Sequence, residues 1–209
     1  MKKGFILIAP FILTASAFGQ NLTLHFDGTA LNNADTVNVV YNGQQEKVLA
    51  GELQFSQIDH NFLFTYCSDL GTNLGDGSLK YSIHQTNPTG TTGIDLAGRI
   101  LEANYSVATT ANQQAALQLA IWSALYNGGS TFNANGHDFK VKDGNQAVLS
   151  QASNYYTAGT HFVGSAIWYK GECNGAQGQL GYQAVPLPAS VVLLAIGIVG
   201  LAAKRRQTC

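Results

Sequence analysis

Apolar and polar residues alternate along the first half of the chain, and the alternation has the period of a strand. Leu22, Leu24 and Phe26 each stand between polar neighbours, the pattern of a sheet with one buried face. Thr36 to Tyr41 is β-branched and aromatic. Asn42-Gly43 follows and supplies the two positive-φ positions of a type I′ turn, so a hairpin is predicted with Val48 to Phe55 as the returning strand. Phe62 to Cys67 is an apolar run with strong β preference, and Leu79 to Gln85 alternates again.

The period then changes. Ile94, Ala97, Leu101 and Tyr105 recur at helical spacing. From Asn112 to Asn127, residues Leu117, Ala120, Ile121, Ala124 and Leu125 fall on one helical stripe. Asn127-Gly128-Gly129 ends that helix, with glycine as the left-handed cap. A third helix is predicted from Asn145 to Tyr156, ended by Gly159. Strands return at Gly164 to Lys170 and at Gln179 to Val185. The order β, α, β predicts an α+β fold, a β-sandwich or sheet with an inserted helical layer.

Both ends of the chain carry segments that precede fold reasoning. Lys2 and Lys3 stand before an apolar run from Phe5 to Leu13, and small residues follow at Ala15, Ser16, Ala17 and Gly19. This is the layout of a secretory signal peptide, with cleavage after Ala17 or Gly19, so residues 1–19 are assigned to export through the Sec machinery. At the other end, Val185-Pro186-Leu187-Pro188-Ala189 leads into an apolar run closed by Lys204, Arg205 and Arg206. Neither proline fits a helix interior, so a helix begins after them. From Leu187 to Ala203 the run has 17 residues. As a helix it spans roughly 26 Å, slightly short of the hydrocarbon core. The basic residues favour the cytoplasmic side, which leaves everything before Val185 outside the cytoplasm.

This tail resembles the PEP-CTERM sorting signals of Gram-negative bacteria, in the variant that reads VPLPA. The resemblance implies a transmembrane sorting helix within residues 185–209, processing by an exosortase, inner-membrane anchoring before processing, and a final place at the cell surface or in a biofilm matrix rich in exopolysaccharide. Residues 20–184 then form one extracellular domain, of a length that buries a real core.

Charge changes the picture once the ends are set apart. Of 11 basic residues, Lys2, Lys3, Lys204, Arg205 and Arg206 lie in the ends, while all 12 acidic residues lie in the domain. The domain is therefore acidic, and it has no electrostatic footprint for nucleic acid. Close-spaced metal ligands, phosphate-cradling glycine motifs and a nucleophile elbow are all absent from the sequence. Neither a cofactor nor a metal is expected. Asp76-Gly77 and Asp143-Gly144 read as turns, because calcium loops need repeated acidic ligands. His60 and His84 read as ordinary polar-face histidines.

Two cysteines, Cys67 and Cys173, lie in the domain. In an oxidising compartment one reading is a Cys67–Cys173 disulfide and a non-reactive matrix protein. The other begins from the surroundings of Cys67. It ends an apolar strand, and Ser68-Asp69-Leu70-Gly71 turns the chain away. Gln118 shares a helix face with Ile121 and Trp122, where a buried carboxamide must find hydrogen-bond partners. By itself that residue reads as a structural one.

The run Phe64-Thr65-Tyr66-Cys67-Ser68-Asp69-Leu70, with Leu117-Gln118-Leu119-Ala120-Ile121-Trp122 about fifty residues on, resembles the Cys-Gln thioester domain of bacterial surface proteins. In that family an aromatic-Cys strand precedes a helix reading Thr-Gln-x-Ala, often with Ile-Trp after it. Cys67, Gln118, Ala120 and Ile121-Trp122 match, and Leu117 stands where the family has Thr. The resemblance implies an internal thioester between Cys67 and Gln118, lined by Phe64, Tyr66, Trp122 and Tyr126. Such a bond is an electrophile for amines and hydroxyls. It implies single-turnover covalent attachment to a surface protein or polysaccharide, and no turnover enzyme.

Overall fold

The structure, a computed structural model, describes residues 21–57, 62–75, 77–173 and 175–182. The segments 1–19 and 185–209, His60, and the sorting motif Val185 to Ala189 lie outside the described residues. Among those described, no helix is long and apolar enough to cross a membrane.

Strands β1 (Asn21–Tyr41) and β2 (Gln44–Ser56) form the predicted hairpin. Tyr41 faces Gln44, and Asn42 and Gly43 take φ of 48° and 78°. Both central residues are thus left-handed, as a type I′ turn requires. Strands β3 (Phe62–Cys67), β4 (Ser78–Gln85), β6 (Ile167–Gly171) and β7 (Gln179–Gly181) fall within or close to the alternating segments. Strand β5 (Phe139–Val141) is three residues long, too short to show a period in the sequence.

All pairings are antiparallel, in the order β2-β3-β7-β6-β4-β1, and β1 pairs back onto β2. Six strands therefore close into a barrel, with β5 added at the far end of β1. Of the two expected alternatives, sandwich or sheet, a single sheet forms, and it closes on itself. The cause is β1, which pairs with β4 through Asn21–His25 and with β2 from His25 onward. A register shift at Phe26/Gly28 and a φ of 122° at Gly28 mark its bend. Inside the barrel Phe55 meets Phe26 at 5.4 Å and Tyr81 at 6.3 Å between ring centroids.

The helical layer enters between β4 and β6, which are neighbours in the barrel. Its helices are α1 (Gly93–Asn104), α2 (Ala111–Trp122) and α3 (Gln146–Thr160). Each start is capped: Thr92 accepts from the Asp95 amide, Thr110 and Gln113 form a capping box, and Asn145 accepts from the Ala147 amide. The mixed α+β class and the inserted helices stand as expected.

Helix α2 departs from the expected single stripe. Every residue from Gln114 to Trp122 is buried, because α2 packs against α1 and α3 on one side and β1 and β2 on the other. Small side chains at Ala115, Ala116 and Ala120 let those neighbours approach. After Trp122 the helix widens into a π turn, Ser123–Asn127, closed by the Gly128 amide donating to Ser123 O at 3.0 Å. Gly128 and Gly129 have positive φ, as the cap reading expects. Gly159 has a different role from the expected terminator. It lies inside α3, and a Cβ there would stand 2.3 Å from Ile100 Cγ1 and 2.7 Å from Ile100 Cα. The glycine permits the α1–α3 crossing.

Candidate functional site

The site begins where β3 loses β2. The β2–β3 ladder runs from Ser56↔Phe62 to Leu53↔Thr65 and stops, while Gly51 of β2 pairs with Ala34 of β1. On its other side Cys67 pairs with Gln179 of β7. On the vacated side the Gln118 carboxamide takes the place of a strand. The Cys67 amide donates to Gln118 Oε1 at 3.0 Å, and Gln118 Nε2 donates to Cys67 O at 2.8 Å. The carboxamide is fully buried, and these two bonds answer the demand its burial creates.

The Cys67 thiol donates to Asp69 O at 3.3 Å. The turn that presents this carbonyl is held at several points. The Ser68 amide donates to Gly178 O at 2.8 Å, and the Gly71 amide donates to Asp69 Oδ1 at 2.9 Å. The Tyr126 hydroxyl accepts from the Leu70 amide at 2.7 Å and donates to Ser68 O at 3.4 Å. Burial pushes the Cys67 thiol up to about 12, against the opposing pull of the Asp69 backbone and of Trp122. The Trp122 indole nitrogen makes no ordinary hydrogen bond, yet it lies close enough to the sulfur to favour its anion. As a free thiol, Cys67 therefore keeps its proton at neutral pH.

Cys67 and Trp122 line a cavity of about 310 Å³ whose other walls are mixed, apolar at Phe26, Val48 and Leu53 and polar at Glu46, Lys47 and Gln177. A second space, a cleft of about 710 Å³, is lined by Ser68, Asp69, Tyr126, Trp168, Lys170 and Cys173, among others. The two share Asn73 in their walls.

Four aromatic residues were expected to line the reactive pair, and they separate. Trp122 lines the cavity beside Cys67. Tyr126 braces the 68–70 turn with its hydroxyl and lines the neighbouring cleft. Phe64 and Tyr66 belong to the opposite face of β3, because side chains alternate along a strand. Phe64 is 38 % exposed, whereas Tyr66 is fully buried near Tyr105 and Tyr155. Desolvation holds the Tyr66 hydroxyl far above its usual range. The Cys67–Cys173 disulfide is absent: Cys67 is buried, Cys173 is exposed, and both are free thiols. His84 bonds Ser82 Oγ at 3.0 Å and packs on Trp168. Sequence reasoning did not find the Asp69 carbonyl or the cavity walls from β1 and β2. Backbone atoms leave no mark in composition, and Phe26, Val48 and Leu53 read only as core.

Residues 184–206 match the PEP-CTERM protein-sorting motif, which implies exosortase processing, export and membrane-anchored sorting before processing. No curated protein matches the chain. Among solved structures, the N-terminal thioester domain of a surface protein from Clostridium perfringens is similar, with a TM-score of 0.41 and 12 % identity over 63 % of this chain and 87 % of that one.

Proposed function

We propose that this is an exported surface or biofilm-matrix protein, sorted by an exosortase, whose Cys67 and Gln118 condense into an internal thioester for one covalent attachment. The observation that carries the reading is the pair of hydrogen bonds between the Gln118 carboxamide and the Cys67 backbone. They hold the carboxamide against the residue that bears the nucleophile, which is the positioning such a reaction needs.

The chemistry balances within the pair. The Sγ–Cδ bond forms and the Cδ–Nε2 bond breaks. The thiol proton moves to the departing nitrogen, and ammonia leaves. Negative charge develops on Oε1 during attack, and the Cys67 amide already donates to that oxygen, as an oxyanion-hole donor does. The Cys67 carbonyl accepts from Nε2 and steadies the nitrogen as it gains its proton. The raised thiol makes attack slow at neutral pH, which suits a bond made once during maturation. The product is an acyl sulfur facing a cavity of mixed walls, with Glu46, Lys47, Asn73 and Gln177 beside the apolar residues, and open to an amine or hydroxyl that enters.

Intact mass of the secreted protein tests the reading. The domain should be lighter than its sequence by one ammonia, and methylamine should add at Gln118 while releasing the Cys67 thiol. Cys67→Ser and Gln118→Ala should each abolish both changes. A domain at its full sequence mass, inert to methylamine, refutes the thioester. The same spectra test the sorting: mature protein from the native host should lack Lys204 to Cys209, and an intact C-terminus refutes processing.

A further inference from the structure

Large apolar side chains stay exposed at one end of the barrel. Phe62 is 61 % exposed, Phe64 38 % and Tyr182 36 %. The register Thr65↔Gly181 sets Phe64 opposite Tyr182 on one face. Phe162 and Val163, also exposed, precede β6, whose first residue Ile167 faces Gly181 at this same end. The described stretches 53–57, 62–66, 161–166 and 181–182 contain no Asp, Glu, Lys or Arg. An uncharged aromatic patch of this kind marks an interaction surface.

The chain leaves the barrel through this patch. The sorting motif begins at residue 184, two residues after Tyr182, and its apolar run begins at Leu187. Five residues reach at most about 18 Å. Tyr182 is itself pinned, stacked on Tyr105 at 4.4 Å and 7°, so the exit point is fixed to the barrel. Topology adds that β1 and β3 start at this end, since both run antiparallel to β7 or to its equivalents around the ring. Cys67 closes β3 at the other end, roughly 17 Å along the strand from Phe62.

We propose that, before the sorting segment is removed, the domain is seated on the bilayer surface by Phe62, Phe64, Tyr182, Phe162 and Val163, with the Cys67 end turned away from the lipid. This rests on the sorting segment spanning the membrane. Tyr182 suits the headgroup boundary, phenylalanines anchor interfacial segments at the acyl boundary, and the short tether holds the patch there at high effective concentration. A weak interfacial preference is then enough to orient the domain. Removal of the segment ends the tether, so the mature domain leaves the surface.

Full-length precursor reconstituted in neutral phosphatidylcholine vesicles tests the seat. Phe62→Trp and Phe64→Trp are compared with Leu49→Trp, an exposed position on β2 distant from the exit. In vesicles containing lipid brominated high on the acyl chain, added fluorescence from positions 62 and 64 should be quenched at least twofold more than that from position 49. Equal quenching at all three positions, in protein that floats with the vesicles, overturns the seat alone. Protein that does not float overturns the membrane anchor and the seat with it. Blue-shifted emission at 62 with no bromine quenching assigns the patch to a second copy and also overturns the proposal.

Discussion

Opening the Cys67–Gln118 bond with methylamine tests what the bond does for the fold, without any mutation. The proposed cross-link joins residues 51 apart in sequence. Closing a loop of that length removes chain entropy worth about 4 kcal/mol from the unfolded state. The N-methyl amide restores an N–H for the Cys67 carbonyl, a donor the thioester lacks, and this returns about 1 kcal/mol. The net loss on opening is therefore about 3 kcal/mol. In a domain of this size each kcal/mol moves the melting temperature by about 2–4 °C, so the amine-treated protein should melt about 6–12 °C lower. Thermal melts and urea titrations before and after treatment measure it, with mass confirming one methylamine per chain. Cys67→Ser, which cannot form the bond, should melt low and ignore the amine. Stoichiometric incorporation with a shift under about 2 °C would refute the loop argument, and the bond would then be mechanically silent.

Three further outcomes follow from the same packing. In amine-opened protein the Cys67 thiol, raised from 9.0 to about 12 by burial, holds its proton more tightly folded than unfolded. Its stabilisation is complete below pH about 9 and is lost as pH rises toward 12, at about 1.4 kcal/mol per pH unit; urea midpoints of Cys67→Ser should lack this slope between pH 9 and 10, before the buried tyrosines titrate. Trp122→Ala should cost about 3–5 kcal/mol, and an unchanged urea midpoint would place the indole outside the core. Gly159→Ala should cost about 1–3 kcal/mol because its Cβ meets the Ile100 backbone, and a neutral result would show that α1 and α3 can separate freely.

Period and punctuation made much of the chain legible. Asn42-Gly43 dictates its own turn, since few other dipeptides accept two left-handed residues. The glycines at 128 and 129 mark the end of the helical run by φ preference alone, whereas the Thr110–Gln113 capping box at its start emerged only in the structure. The charge distribution and the two terminal segments are likewise properties of the sequence itself. The burial of α2 on every side was not legible, because an alanine-rich helix reads as weakly amphipathic whether one face or all of it is covered. Gly159 misled for a related reason: a glycine tolerates both a helix end and a close crossing, and only the position of Ile100 decides between them.

The candidate pair shows the same division. Cys67 and Gln118 are residue types that chemistry can single out in a sequence, and their spacing along the chain is fixed there. That the Gln118 carboxamide replaces a missing strand beside Cys67 depends on β2 parting from β3 after Leu53, which is a consequence of barrel closure through the bent β1. The facing of side chains on β3 followed from the same closure, turning Cys67 toward Trp122 and sending Phe64 and Tyr66 to the other face. Local sequence determined which elements form and where they stop. Which backbone edge stayed open, and which side chain filled it, was decided only when strands 30 or more residues apart were brought together, since no short-range preference carries information about a partner that distant.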